Sequence, residues 1–115
     1  MADFSISEQS SDSGNTVLGL VGELDLASAS TMRTAGLAAL GQPECSTLVL
    51  DATALTFVDS TGIGSWVELR NRARQHDQRL ILQGVSANLA RVLAIAGLTS
   101  LFALDPAARD EGRAG

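Results

Sequence analysis

Apolar residues along this chain fall into short runs of two different periods. Phe4-Ser5-Ile6 alternates and reads as a short strand. Ser7 to Asn15 (S-E-Q-S-S-D-S-G-N) is polar and turn-rich and reads as a loop. Val17-Leu18-Gly19-Leu20-Val21 reads as a strand that Gly22 ends, with Glu23 to Leu26 as a connection. Ala27 to Leu40 carries Met32, Leu37 and Leu40 in an Ala-rich stretch, with Ser28 and Ser30 as candidate caps. It predicts a helix of about ten to fourteen residues that stops near Gly41 and Pro43. Leu48-Val49-Leu50 is a continuous apolar run, the pattern of a strand buried on both faces of a parallel sheet. Asp51-Ala52-Thr53 reads as chain leaving the sheet, and Phe57-Val58 as a second short apolar step.

From Ser60 to His76 the period becomes helical. Ile63, Trp66, Val67, Leu69 and Ala73 share one side, while Glu68, Arg72 and Gln75 fall largely on the other. Glu68 and Arg72 form an i, i+4 pair, and Arg70-Asn71-Arg72-Ala73-Arg74 makes a basic patch. Leu80-Ile81-Leu82 is a further strand closed by Gly84. Ser86 is placed to cap a helix with the stripe Leu89, Val92, Leu93 and Ala96, ended by Gly97. Leu101 to Leu104 reads as a last short strand before a polar tail over 105–115. Strands alternating with helices of this length predict an α/β domain. The expected architecture is a mostly parallel central sheet of four to five strands covered by helices, with its core over about 4–104.

Composition narrows the chemistry. The chain has 115 residues, enough for one domain but not for two cores. Hydrophobic residues make up 45% and charged ones 18%, a globular rather than a disordered balance. A net charge of −5 gives no general attraction for phosphate backbones, which argues against nucleic acid as a partner. No apolar run approaches the ~20 residues of a membrane span. Met1-Ala2-Asp3-Phe4 lacks the basic and apolar regions of a secretion signal, so the expected location is cytoplasmic. One cysteine, Cys45, and one histidine, His76, make neither a disulfide nor a structural zinc site. All basic residues are Arg, so the Lys of a phosphate loop or a Schiff base is missing. No metal, cofactor or catalytic set is expected, and the balance shifts toward a binding or switching protein rather than an enzyme.

One segment stands out. Asp59-Ser60-Thr61-Gly62-Ile63-Gly64 lies where a strand-like stretch turns into a helix. A helix start leaves about four N–H groups unpaired and carries partial positive charge, so it favours anions. Gly62 and Gly64 take away side chains that would hinder close approach by a partner, and Ser60 places a hydroxyl there. Asp25 joins this patch if both strand ends share one edge of the sheet. On the residues alone, an ordinary N-cap is the favoured account of Asp59-Ser60. A Ser-His-Asp triad through His76 is ruled out by distance, since sixteen helical residues span ~24 Å. His76 is then a helix C-terminal residue, Cys45 a turn residue and Trp66 a core residue.

The motifs together carry more than each does alone. Gly22-Glu23-Leu24-Asp25, then Leu48-Val49-Leu50-Asp51, then Phe57-Val58-Asp59-Ser60-Thr61-Gly62-Ile63-Gly64 resemble the STAS family, the sulfate transporter and anti-sigma factor antagonist domains. The spacing of about 35 residues from Asp25 to Ser60 agrees, as do Arg79 to Leu82, Asn88 to Leu93, Ala96-Gly97-Leu98 and Leu101-Phe102. Two features depart from the pattern: Trp66 is bulky for the site helix, and the Ser7–Asn15 segment is long. The resemblance implies a stand-alone anti-sigma factor antagonist that acts by partner switching in transcription control, of stress response or sporulation. It implies phosphorylation of Ser60, with Thr61 as the alternate hydroxyl, by an anti-sigma factor that is a serine kinase of histidine-kinase-like ATPase fold. The unphosphorylated form would bind that kinase, and a serine phosphatase would reset the phosphorylated form. Asp25, Asp59, Thr61, Gly62 and Gly64 would form the partner-binding surface. The alternative it implies is a STAS subunit of a membrane transporter for lipids or anions, a constitutive binding module that does not itself enter the membrane.

Overall fold

The computed structural model describes residues 3–11 and 13–105. In chain order the elements are β1 (Phe4–Ser10), β2 (Asn15–Leu24), α1 (Ala29–Leu40), β3 (Thr47–Val58), α2 (Ser60–Gln75), β4 (Arg79–Gln83), α3 (Ala87–Ile95), a 3-10 turn (Thr99–Leu101) and β5 (Ala103–Asp105). They form a five-stranded sheet in the order β1-β2-β3-β4-β5. β1 is antiparallel to β2, and all other pairs are parallel. The polar tail lies, apart from Asp105, outside the described residues.

This strand order decides where the helices go. Each parallel connection advances one strand in the same direction, and such crossovers are nearly always right-handed. Successive helices therefore land on one face of the sheet. Burial agrees: Leu18, Leu20, Leu48, Leu50, Leu80 and Leu82 are buried and share one cluster with Met32, Trp66, Leu69, Leu89 and Leu93. Val49 points the other way, lies between Val17 and Ile81 in the strand register, and stands outside that cluster. The helices thus cover the sheet from one side. The unbroken apolar run at Leu48–Leu50 comes from a tightly paired central strand rather than from helices on both faces.

Several boundaries differ from the sequence reading, each for a local reason. The polar stretch after Ile6 is not all loop: β1 runs to Ser10 and β2 starts at Asn15, because β1 is an edge strand whose backbone pairs in register with β2. Gly22 does not end β2. It sits at φ 102°, and a Cβ there would come within 1.9 Å of Asp3 O. The strand kinks at this bulge and continues to Leu24. Asp51-Ala52-Thr53 stays in the sheet, so β3 is one strand of 12 residues that absorbs two register shifts against β2. The α3 stripe is only half used: Leu89 and Leu93 are buried, whereas Val92 and Ala96 are exposed, as is Ile95 outside the stripe. α1 and α2 approach closely at Gly36, where a Cβ would lie 2.4 Å from Leu69 Cδ1.

Candidate functional site

The C-terminal ends of β2 and β3 lie side by side, and the two turns that leave them form one rim. The amide of Asp59 donates to Leu24 O at 3.1 Å and ties the second turn to the end of β2. The rim therefore brings Asp25 and Asp59 to the same edge of the sheet, which meets the condition the sequence analysis set for Asp25.

Asp59 is the N-cap of α2. Its backbone is extended, and its Oδ1 accepts the Gly62 amide at 2.9 Å. Ile63 N–H donates to Asp59 O at 3.0 Å and closes the first turn. Asp59 thus performs the ordinary capping role and at the same time fixes the position of the next residue. Ser60, first in the helix, is exposed and its hydroxyl has no hydrogen-bond partner among the described residues, whereas Thr61 is half-buried. The helix end supplies a positive dipole and unpaired amides at the position of that free hydroxyl.

Asp25 is bound into its own turn. Its Oδ1 accepts the amides of Ala27 at 3.0 Å and Ser28 at 3.3 Å. Ser28 takes the N-cap position of α1, but its hydroxyl does not cap the helix; it donates to Glu23 O at 3.0 Å and accepts from the Asp25 amide at 3.0 Å. Asp25 is half-buried and helps line a shallow cleft of about 330 Å³ with Asp3, Phe4, Glu23, Ala27, Ser28 and Thr31. The rim is therefore acidic on its β1 side.

The two glycines of the site have different roles. A Cβ on Gly62 would meet Leu24 Cγ at 2.7 Å, Leu24 O at 2.8 Å and Val58 Cγ2 at 2.9 Å. Gly62 is buried, and its missing side chain lets α2 seat against the ends of β2 and β3. A Cβ on Gly64 would meet nothing within 4 Å, and Gly64 is exposed. The fold gives no steric reason for glycine there.

Two apolar residues at this edge are exposed, though the sequence analysis placed Leu26 in a connection and Phe57 in an apolar strand step. Leu26 is 76% exposed and Phe57 49% exposed. The signal was present, since Leu26 stands inside the turn between Asp25 and Ala27, where a folded domain has no use for a leucine.

The remaining candidates fall away from the site. His76 caps the far end of α2. Cys45 is buried, its thiol 3.7 Å from Thr47 O. Trp66 is fully buried in the core. Glu68 does not pair with Arg72 along α2; it meets Arg33 of α1, with Nε to Oε1 at 2.6 Å. The close approach at Gly36 brings the two helices within reach and explains why the pairing crosses between them. Among the described residues there is no cluster that could hold a metal ion, and no helix is long and apolar enough to cross a membrane.

The family model described as "Mlab, STAS domain" matches residues 7–104. The chain belongs to the STAS family. It is similar to an anti-sigma-B factor antagonist of Listeria monocytogenes, with 30% identity over 100 residues and 87% of each chain covered. Its fold is similar to that of the phosphorylated form of the Bacillus cell fate determinant SpoIIAA, with TM-score 0.69, 22% identity, and coverage of 96% of this chain and 100% of that one. It is also similar to part of the murine Solute Carrier 26 family member A9 anion transporter, with TM-score 0.73, 18% identity, and coverage of 92% of this chain but 21% of the transporter. The STAS fold thus occurs both in small proteins of this size and as a part of membrane transporters.

Proposed function

We propose that this STAS protein is an anti-sigma factor antagonist that works as a phosphorylatable binding switch in the cytoplasm. The observation that carries the reading is Ser60, an exposed hydroxyl without a partner, fixed by the Asp59 cap at the N-terminus of α2. The likeness to an anti-sigma-B factor antagonist over most of both chains supports the same reading. In its unphosphorylated form the protein binds and sequesters an anti-sigma factor that is also a serine kinase of histidine-kinase-like ATPase fold. The docking surface is the rim of Asp25, Asp59, Thr61 and Gly64, with Gly62 setting its shape from beneath. The kinase transfers a phosphoryl group to Ser60, the complex dissociates, and a serine phosphatase resets the chain. Thr61 is the second candidate acceptor; its half-burial favours Ser60. In this cycle the protein is the binding partner and the phospho-acceptor, and the kinase and the phosphatase supply the catalysis.

The test is the intact mass of the protein isolated from its own cells, before and after phosphatase, with fragmentation to place the group. A phosphatase-sensitive phosphoryl group at Ser60 that disappears in Ser60→Ala, together with weaker binding of the purified anti-sigma kinase, is the expected result. Phosphorylation at Thr61 alone moves the acceptor. An unmodified chain that binds no kinase refutes the switch.

The likeness to part of an anion transporter favours one second reading, a constitutive STAS subunit of a lipid or anion transporter. Co-purification with a transporter permease or its ATPase, with Ser60 unmodified, is the outcome that would select it.

A further inference from the structure

The two parallel neighbours of β3 are unequal. β2 pairs with it from Thr47 to Val58, but β4 pairs only from Thr47 to Asp51. Beyond Asp51, the β4 side of β3 carries no strand among the described residues. The cause is local. Asp51 Oδ1 accepts both the amide and the hydroxyl of Thr53, at 3.0 and 2.6 Å. Gly84, at φ 70°, turns the chain away at this point, so close that a Cβ would lie 2.0 Å from Thr53 Oγ1. β4 ends against this capped residue, and β3 continues without a paired strand on that side among the described residues.

The open stretch Ala54-Leu55-Thr56-Phe57 is uncharged and rich in residues that favour strands. Ala54, Thr56 and Phe57 are exposed. Folded proteins normally protect such an edge with Lys, Pro, inward charges or a cover. No charge or Pro occurs from Ala52 to Val58. The extra residue Thr56 bonds inward to Gly22 O at 3.2 Å and leaves Phe57 half exposed. The Thr53 amide faces Gly84, and the two-residue period of a strand points the Leu55 amide the same way.

We propose that this open side of β3 takes an extended segment of the anti-sigma factor as an added strand, with Phe57 as its apolar anchor. The inference rests on the antagonist reading above and deepens it. Main-chain pairing gives such a segment affinity, and side-chain contacts give it selectivity. Four residues are only ~13 Å of strand, far short of the ~1,000 Å² that a specific interface buries. The occupant must therefore hold on elsewhere as well. The adjoining surface is Ser60, three residues beyond Phe57, which makes the edge one arm of the switch interface. A second copy fits poorly, because α2 packs over β3 and β4 and edge-to-edge pairing would bring two α2 helices over the same slot. The segment is uncharged where it pairs, matching the uncharged edge from Ala52 to Val58. A phosphoryl group on Ser60 sits at the end of the slot and repels no part of the strand itself, so it releases the arm by weakening the contact beside it.

The experiment is amide hydrogen exchange on the full chain, alone and with the purified anti-sigma kinase as the probe. The expected result is at least tenfold slower exchange at Leu55 in the complex, lost when Ser60 is phosphorylated. Phe57→Ser and Leu55→Pro should each weaken kinase binding at least tenfold with circular dichroism unchanged; should Leu55→Pro fail to fold, the wild-type exchange and Phe57→Ser decide. Binding with protection confined to Asp25 and the Ser60–Gly64 turn overturns the edge proposal and leaves the antagonist reading standing. Protection at Leu55 in the chain alone that grows with its concentration assigns the edge to a second copy and also overturns the proposal. Absence of any kinase binding overturns both readings.

Discussion

Gly64 separates the needs of the fold from those of the partner. It lies in the interior of α2 on an exposed face, and a Cβ there meets no atom within 4 Å. Glycine in a helix interior costs roughly 0.5–1 kcal/mol relative to alanine, through lost backbone entropy and poorer shielding. Gly64→Ala should therefore stabilise the isolated protein by about that amount. For a domain of this size, that is a rise of roughly 2–6 °C in Tm, or about half a molar in the urea midpoint for a slope near ~1.5 kcal/mol/M. The assay is convenient because Trp66 is the single tryptophan, is fully buried, and has no tyrosine beside it in the sequence. Urea unfolding followed by Trp66 fluorescence reports on the helix that carries the substitution. If the surface docks a partner backbone, the same methyl group should lower affinity for the anti-sigma kinase. Gly62→Ala is the control with opposite sign: a Cβ there enters 2.7–2.9 Å contacts with Leu24 and Val58, and overpacking of that kind costs about 1–3 kcal/mol. A Gly64→Ala protein that is less stable than wild type, or stabilised with unaltered partner affinity, would refute the reasoning for this position.

Three further outcomes are expected. Asp59→Ala removes the side chain that accepts the Gly62 amide and should cost about 1 kcal/mol of stability, read in the same urea titration; an unchanged midpoint would deny the cap its role. Arg33→Ala and Glu68→Ala, alone and combined, should give a coupling energy below about 1 kcal/mol that shrinks at high salt, because both side chains remain well exposed; coupling above ~2 kcal/mol would contradict that. Ser60→Glu should unfold within a few degrees of wild type while losing affinity for the kinase, and a drop in Tm above ~8 °C would show that added charge acts on the fold instead.

The elements with strong internal periodicity were legible in the sequence. α2 is found where the 3.6-residue spacing places it, and Ser86 caps α3 through its hydroxyl to the Leu89 amide at 3.0 Å. Phe4 to Ile6 was legible as the start of β1, but its second half and the middle of β3 were not, because neither stretch has enough apolar residues to announce itself. Ser7 to Ser10 is a strand only because β2 offers it a backbone to pair with. Asp51 to Thr53 stays in β3 because Asp51 turns its carboxylate onto Thr53 and absorbs the irregularity locally. The convergence of Asp25 and Asp59 followed from strand order alone. The division of labour between Gly62 and Gly64 did not, since both are glycines in one helical turn and only the neighbours of the missing Cβ tell them apart. The Arg33–Glu68 pair was hidden for a similar reason: its partners are 35 residues apart and meet only because Gly36 draws two helices together.

These features explain why a charge at Ser60 is suited to act on binding rather than on folding. The proposed acceptor, Ser60, stands outside the core on a helix end fixed from both sides, by the Asp59 cap and by the Asp59 amide on Leu24 O. A phosphoryl group brings about −1.5 to −2 charges. The helix dipole and the unpaired amides favour it by roughly 0.3–1 kcal/mol, while Asp59 and Asp25 on the same rim oppose it. Within the free protein these terms largely cancel in water. In a complex they no longer do, because water is excluded and the facing surface was matched to a neutral hydroxyl. A penalty of about 3 kcal/mol there is already more than a hundredfold in affinity. On the proposed reading, the rigidity of the rim is part of the switch: if the turn relaxed around the new charge, the penalty would be absorbed by the loop and the partner would stay bound.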